Sequence, residues 1–195
     1  MQEWSAESFE ISTNAMIKVW TWPFYYILRT LTETIGREPA ISLFKEYVSS
    51  YYKDHPSPNQ TNFEGLDAMC TKRTSGDTSN SVWVIDHAML EPGKYAFKNN
   101  NCPTCVDAMN ELPDSEIKYY TCCYPDYAKF TAMYSDDVIL TMEHTIMQGA
   151  PYCSRVLHDT RIDYDLRHPP IEFWDAMEEG REDEVEEIYG RFKVD

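Results

Sequence analysis

Positive charge is what this chain has least of. Its 17 lysines and arginines stand against 33 aspartates and glutamates, a formal net charge of -16 over 195 residues. Holding a phosphate backbone needs a basic footprint, so this balance excludes a nucleic-acid-binding role and disfavours adsorption to an anionic membrane. An anionic substrate would need a local cation inside a pocket, acting against the field of the whole molecule. Long apolar runs are also missing. The aromatic-rich stretch Trp20–Leu31 is interrupted by Arg29 and by threonines, well short of a membrane span. The first residues carry no basic stretch leading into an apolar run, so no signal peptide is expected and the chain reads as soluble and cytoplasmic. In that setting its six cysteines read as thiols, ligands or catalysts rather than as a disulfide framework. No internal repeat is present.

What is there argues for a folded protein: 43% apolar and 14% aromatic residues, in a length that suits a single domain with one core, residues 1–195. Ile17, Trp20, Phe24, Ile27, Leu28, Leu31 and Ile35 recur at mostly three- and four-residue steps, one face of an amphipathic helix. Pro23 should lie in its first turn or kink it, and Gly36 should stop it. Pro39 suits the first turn of a second helix, with Ala40, Leu43, Phe44, Tyr47, Val48 and Tyr51 on its face. A loop over 55–62 and a short helix over Phe63–Thr71 complete a helical region, residues 1–71. Lys72–Ser81 reads as a polar loop. The pattern then becomes mixed across an α+β core, residues 81–159: strands over Ser81–Ala88 and Tyr95–Lys98, a helix over Pro103–Leu112, and an extended segment over Ile117–Thr121. A helix follows over Asp126–Met133. The strand Val138–Met147 then turns through Gln148-Gly149-Ala150-Pro151 into its hairpin partner Tyr152–Asp159. An acidic helix over Phe173–Phe192 closes the chain, with Glu178, Glu179, Glu182, Asp183, Glu184, Glu186 and Glu187 on a solvated face. The fold class is α+β: a helical N-terminal half packed on an antiparallel sheet, then a C-terminal hairpin and a terminal helix.

Polar and thiol chemistry concentrates between Cys102 and Cys153, which hold five of the six cysteines. Cys102-x2-Cys105 has the spacing of half a zinc site, and also that of a redox pair or of two buried packing residues. Cys122 and Cys123 suit the other half of a zinc site poorly, because adjacent side chains diverge, so no metal is expected. Cys123-Tyr124-Pro125-Asp126 is more pointed. If Pro125 and Asp126 open a helix, Cys123 lies near its positive end, which favours thiolate, while Asp126 either complements the same dipole or does chemistry. On the long strand Val138, Leu140, Met142, His144 and Ile146 share one face, so His144 turns inward, as a satisfied core residue or as a proton carrier. Pairing Met147 with Tyr152 would set Arg155 opposite His144 and Cys153 opposite Ile146, on one pocket wall. Arg155 is then either a carboxylate clamp or half of an ion pair. His87 is a further candidate on its own strand.

These residues resemble the L-2-amino-thiazoline-4-carboxylic acid hydrolases. That family's pattern places a Cys-Pro before a helix, a Cys-x2-Asp before another, and a strand ending in Gly-x3-Cys. Here they are Cys102-Pro103, Cys123-x2-Asp126 and Gly149-x3-Cys153, in the same order, within a similarity running from Ile17 to Asp159. His144 stands where an arginine is common in the family, and Gly149-Ala150 replaces the usual Gly-Asp. The layout is also similar to the small-molecule-binding domains named after 4-vinyl reductase. Their zinc pattern, Glu-x2-Cys-x7-Cys, would fall on Met142, Thr145 and Cys153, and only the last is a ligand type.

The resemblance implies hydrolytic opening of a small cyclic amidine or thiazoline ring to an N-carbamoyl cysteine-type product. Such a reaction needs a nucleophile or base, a proton source for the departing sulfur and a clamp for the carboxylate. The candidates are Cys123 adding to the ring carbon or Asp126 activating water, His144 moving protons, and Arg155 orienting the substrate. Cys153, Cys102 and His87 complete the substrate-binding set. No cofactor is expected. The expected partner is a small-molecule substrate, and homo-oligomer formation is left open. Two other readings stand beside this one: a biosynthetic relative that forms or isomerises a ring on another small molecule, and a non-catalytic ligand-binding module.

Overall fold

The computed structural model describes residues 13–56, 63–68, 85–102, 108–162, 165–177 and 181–194. The expected polar loop over 72–81, the beginning of the strand expected from Ser81, Cys105, and residues 103–107 of the expected Pro103–Leu112 helix lie outside the described residues. So do Glu178 and Glu179. Of the short helix expected over Phe63–Thr71, residues 66–68 are helical.

Two long helices open the described chain, α1 (Thr13–Ile35) and α2 (Arg37–Asp54). Gly36 divides them at φ +92°, in the left-handed region that side chains resist. Pro39 occupies the first turn of α2, as its missing N–H allows. Pro23 lies in the interior of α1 rather than in its first turn. The buried face of α1 is also rotated from the expected one. Tyr25 and Leu28 are buried, whereas Trp20 and Ile27 are 70% and 54% exposed. The inward face uses aromatics with polar tips: Trp22 Nε1 donates to the Ala108 carbonyl at 2.6 Å, and the Tyr25 hydroxyl accepts from Asp114 N at 3.2 Å. An amphipathic ring satisfies both the core and a stray backbone group, which a purely apolar count misses. On α2 the buried stripe is Ala40, Ile41, Phe44 and Val48.

The sheet has four strands, β1 (Ile85–Glu91), β2 (Lys94–Asn99), β3 (Val138–Met142) and β4 (Cys153–Asp159), in the order β1-β2-β4-β3, with every pair antiparallel. Gly93, at φ +81°, makes the tight turn between β1 and β2, and its carbonyl accepts from Asp159 N at 2.7 Å. One row across the sheet reads His87, Phe97, Arg155, Met142. Because side chains alternate along a strand, that row and Tyr95, Leu157, Leu140 and Val138 share one face. Lys94, Ala96, Ser154, Val156, His158 and Thr141 share the other.

Two expectations are corrected between the strands. Ile117–Thr121, read as extended, belongs to the helix α3 (Ser115–Cys122). Its β-branched and aromatic composition is overridden by an N-cap: the Asp114 carboxylate accepts from Glu116 N and Ile117 N at 3.1 and 3.0 Å. Helix α4 (Pro125–Tyr134) follows where expected, with proline in its first turn. The strand expected over Val138–Met147 ends at Met142, and a 3-10 turn (Ile146–Gln148) follows, capped by the Thr145 hydroxyl. The register is Met142 opposite Arg155, not His144 opposite Arg155.

The single C-terminal helix expected over Phe173–Phe192 is instead two, α5 (Ile171–Ala176) and α6 (Glu182–Val194). In α6, Val185 and Tyr189 are buried one turn apart, while Asp183, Glu184, Glu186 and Glu187 are exposed. Three apolar clusters result among the described residues. The first joins α1, α2 and α3 through Tyr25, Leu28, Phe44, Val48, Ile117 and Cys123. The second sets Phe173, Trp174, Val185 and Tyr189 against Ala96 and Val156 on one sheet face. The third sets Phe130 of α4 and Leu66 against Tyr95, Phe97, Leu140 and Leu157 on the other. Burying a ring the size of Trp174 contributes on the order of 3 kcal/mol, which is how the short helix α5 is held to the sheet. No helix among the described residues is long and apolar enough to cross a membrane.

Candidate active site

Arg155 points from β4 into the seam between the first and third clusters. Its side chain is 7% exposed. Nη2 donates to Asp126 Oδ2 at 3.0 Å, and the guanidinium carbon stands 5.8 Å from the Phe97 ring centre. Nε and Nη1 are buried and have no hydrogen-bond acceptor among the described residues. Burial opposes the guanidinium charge and the Asp126 carboxylate supports it, and the net effect favours the charged form.

Asp126 reaches this seam because Pro125 and Asp126 begin α4, with Asp126 N donating to the Cys123 carbonyl at 3.1 Å. Its carboxylate is partly exposed and also lies 3.9 Å from the exposed Lys129 Nζ. It therefore bridges a buried cation and a surface one. The half-buried phenol of Tyr52 is raised by burial and by Asp126, which sets Tyr52 beside the same carboxylate.

The sulfurs differ in surroundings. Cys153 is fully buried, and its Sγ accepts from Ile146 N at 3.3 Å. Burial pushes this thiol up to about 11, against the opposing pull of Arg155 and the Ile146 N–H, so it stays protonated at neutral pH. Cys123 is 1% exposed and belongs to the helical cluster. It precedes α4, as the sequence predicts, but it is also the C-cap of α3. The negative end of one helix dipole and the positive end of the next meet there and offset each other. Cys102 is buried in the same cluster.

Five of the seven sequence-predicted residues, Cys102, Cys123, Asp126, Cys153 and Arg155, therefore lie in one neighbourhood, and two do not. His144 lies across the sheet from Arg155: its Nδ1 is 3.2 Å from Ser154 Oγ and its ring packs on Tyr152. The cause is the bend at Glu143, which ends the strand and inverts the side-chain alternation, so His144 follows Ser154 instead of Arg155. His87 keeps to the Arg155 face but stands two strands away, about 10 Å by ordinary strand spacing, against the Tyr95 ring.

Three tyrosines that the sequence reading passed over belong to this seam. Tyr119 is one helical turn before Cys123, and Tyr127 follows Asp126. Burial, then the neighbouring Tyr127 phenol, hold the Tyr119 phenol well above its ordinary range, with Cys123 close by. Tyr52 is the third. The signal was present in the spacing of Tyr119, Tyr120, Tyr124 and Tyr127, which run as an unbroken series of ring contacts from α3 to α4.

The arrangement is thus a buried, partly unmatched guanidinium, a carboxylate at the edge of solvent, buried thiols and phenolic hydroxyls. It can orient a small anion and move protons near it. No curated protein and no solved structure matches the chain significantly. A family model does match, over residues 15–156, a span that holds every residue of the seam and excludes α5 and α6. The chain belongs to the family of L-2-amino-thiazoline-4-carboxylic acid hydrolases.

Proposed function

We propose that this protein is a hydrolase that opens a small cyclic amidine or thiazoline ring, of the 2-aminothiazoline-4-carboxylate kind, to an N-carbamoyl cysteine-type product. The observation that carries this reading is Arg155: a buried guanidinium with Nε and Nη1 unmatched among the described residues, inside a chain of net charge -16. A guanidinium has five N–H donors, and Asp126 takes one at Nη2. The substrate carboxylate fits the remaining donors in charge and in shape.

Asp126 then has the role of base. It is at the solvent edge of the seam and bonded to Arg155, so in this reading it activates a water against the ring carbon of a substrate fixed on that guanidinium. Water adds to that carbon, the carbon–sulfur bond breaks, and the two water protons end on the ring nitrogen and on the sulfur. Activated water is favoured over a thiol nucleophile. Cys123 is buried among apolar side chains between opposing helix ends, and Cys153 is held protonated by burial. Both thiols act as packing and as polarisable lining beside the sulfur ring.

The test is free-thiol release from 2-aminothiazoline-4-carboxylate by the unaltered protein, Arg155→Lys and Asp126→Asn. The reading expects release by the unaltered protein. It expects a KM raised about 10-fold or more in Arg155→Lys, where the planar fork is lost. It expects a kcat lowered about 100-fold or more in Asp126→Asn. Absence of thiol release by the folded, unaltered protein refutes it.

A further inference from the structure

Apolar side chains are left uncovered mainly on one side of this fold. Of the thirteen large apolar side chains exposed among the described residues, nine belong to α1 and α2. On α1, Met16, Trp20, Pro23 and Ile27 recur at steps of four, three and four, which makes a continuous stripe opposite the buried Tyr25. On α2, Leu43, Tyr47 and Tyr51 recur at steps of four. Phe24 lies between Trp20 and Ile27 and joins the two stripes, with its ring centre 6.1 Å from that of Tyr47. Val19 and Tyr26 flank the first stripe, and Val19 and Trp20 are each 70% exposed. At about 200 Å² for a whole side chain of this size, the exposed parts of the face amount to roughly 800 Å². That exceeds the few hundred Å² of contiguous apolar surface a monomer ordinarily shows to water. Charge is thin here. Together α1 and α2 carry five lysines and arginines and four aspartates and glutamates, so the acidic excess of the chain lies elsewhere. Their cations are also drawn away from the stripes. Lys18 Nζ lies 2.6 Å from Glu111, Arg37 Nη2 lies 2.7 Å from Asp114, and Lys45 Nζ stands 5.0 Å over the Tyr120 ring.

We propose that the outer face of α1 and α2 is a homodimer interface, covered by the same face of a second copy so that the four helices pack as a bundle. Three observations favour a second copy over other occupants. The first is area: a specific interface takes about 800 Å² from each partner, which is what this face offers. The second is charge. Two chains of net charge -16 repel each other, so they can meet only where acidic groups are sparse, and α1 with α2 supplies that place. The same net charge disfavours an anionic membrane. The third is chemistry. The stripes carry no charged group with which to select a charged partner, whereas a two-fold axis sets one apolar stripe against its own copy. Side chains at three- and four-residue steps on neighbouring helices are the ridges and grooves from which helix bundles are built. Trp20 and Tyr47 are the central aromatic anchors of such an interface. Arg155 and Asp126 lie on β4 and α4, outside the face, so each copy keeps a whole seam and the proposal stands apart from the ring-opening reading.

The experiment is sedimentation velocity of the full chain from about 1 to about 100 μM, with far-ultraviolet circular dichroism to show that each variant is folded. The unaltered protein should sediment at twice the 22.8 kDa mass of one chain, with a Kd of about 10 μM or tighter. Trp20→Ala should weaken the dimer about 30-fold or more, as loss of a central aromatic anchor does. Trp20→Glu combined with Ile27→Glu should be monomeric and folded, because both side chains are exposed. Leu43→Glu reaches the same face from α2 and should also be monomeric, which decides the matter if the double variant does not fold. Ile171→Glu, exposed on α5 away from the face, should remain a dimer. An unaltered protein that is monomeric at about 100 μM overturns the proposal, whether the face is then free, covered by residues 1–12 of its own chain, or bound to phosphatidylcholine vesicles in a parallel flotation assay. A dimer that survives in Leu43→Glu and in the folded double variant overturns it too. So does an open-ended series of larger species in place of a dimer, since a closed two-fold interface stops at two copies.

Discussion

Acidification should loosen the packing of the C-terminal segment on the sheet. The sensitive group is His168, 8% exposed beneath α5. Its Nε2 lies 2.7 Å from Thr141 Oγ1, and His158 Nε2 lies 2.9 Å from the same oxygen. One hydroxyl can donate to one neutral ring and accept from the other, so the neutral pair is well matched. A proton on His168 is resisted by burial first, then by His158 and His144 from the sheet side and Lys94 on β2, and the ring is held down at about 4. Glu143, more than half exposed, offers its only carboxylate within 4.0 Å among the described residues. The folded value thus lies below the ordinary 6.5. As pH falls, the unfolded chain takes up the proton first. The stabilisation is complete above about pH 7.5 and is lost progressively between 6.5 and 4. At about 1.4 kcal/mol per pH unit the whole effect is at most about 3 kcal/mol, and the part lost between pH 7.5 and 5 is about 2 kcal/mol. For a chain of this length that is a fall of roughly 4–8 °C in thermal midpoint. Asp114 and Asp159, held low mainly by Arg37 and Arg161 respectively, lose their contributions only further down in pH. The assay is urea unfolding at pH 7.5 and pH 5.0 of the unaltered protein and of His168→Gln, whose amide retains a partner for Thr141. The difference in pH sensitivity between the two should be about 2 kcal/mol. Equal sensitivity over this interval would show that His168 is not the group responsible.

Three further outcomes follow from the same structure. Asp126→Asn removes the counter-charge of a buried guanidinium and should cost about 3–5 kcal/mol of stability, while Asp126→Asn combined with Arg155→Met should recover most of that without recovering thiol release; chemical denaturation of the single and double variants measures it. Cys122 is partly exposed, whereas Cys153 is fully buried and raised to about 11, so mass-spectrometric mapping of iodoacetamide labelling at pH 7.5 should find Cys122 modified well before Cys153. Gly93→Ala should destabilise by about 2 kcal/mol or more, because φ is +81° and the new Cβ would lie 2.9 Å from Ile162 Cβ; a thermal melt of the variant unchanged from the unaltered protein would contradict that geometry.

Most of the seam's composition was legible because it sits at element boundaries that the sequence marks. Cys123-x2-Asp126 is read from the Pro125 helix start, and Cys153 and Arg155 from the Gly149 turn into a strand. Alternation then places Cys153 and Arg155 together however far the ladder slides by even steps: the observed register is two residues from the expected one and keeps the same faces. His144 failed for the complementary reason. It lies beyond Met142, where a bend replaces the strand, and a period-two argument has no validity past the last paired residue. Helix α3 failed because Ile117, Tyr119, Tyr120 and Thr121 look like strand residues, and the decisive group, the Asp114 carboxylate, lies outside the run it organises. The tyrosines were passed over because their relevance is tertiary. Tyr52, Tyr119 and Tyr127 come from three helices and meet only when α2, α3 and α4 pack.

The contrast with three other arginines supports the proposal that Arg155 receives a ligand. Arg161 and Arg167 each close a two-point fork with a near neighbour, Asp159 and Asp165, using Nε and Nη2 together. Arg37 divides its two terminal nitrogens between Asp114 and Glu116. Those three side chains are about half exposed, where such pairs contribute little and water supplies whatever a carboxylate does not. Arg155 is the reverse: deeply buried, yet held by one side-chain hydrogen bond at one nitrogen among the described residues. A buried guanidinium without a counter-charge costs several kcal/mol, so Asp126 is needed for the empty site to be stable. A carboxylate that also took Nε would have completed a fork and left less for a ligand. The single contact at Nη2 neutralises the charge and still leaves Nε and Nη1 unmatched among the described residues. In a chain of net charge -16, where an anion is repelled at long range, that residual donor capacity is what, in the proposed reading, would hold one at short range.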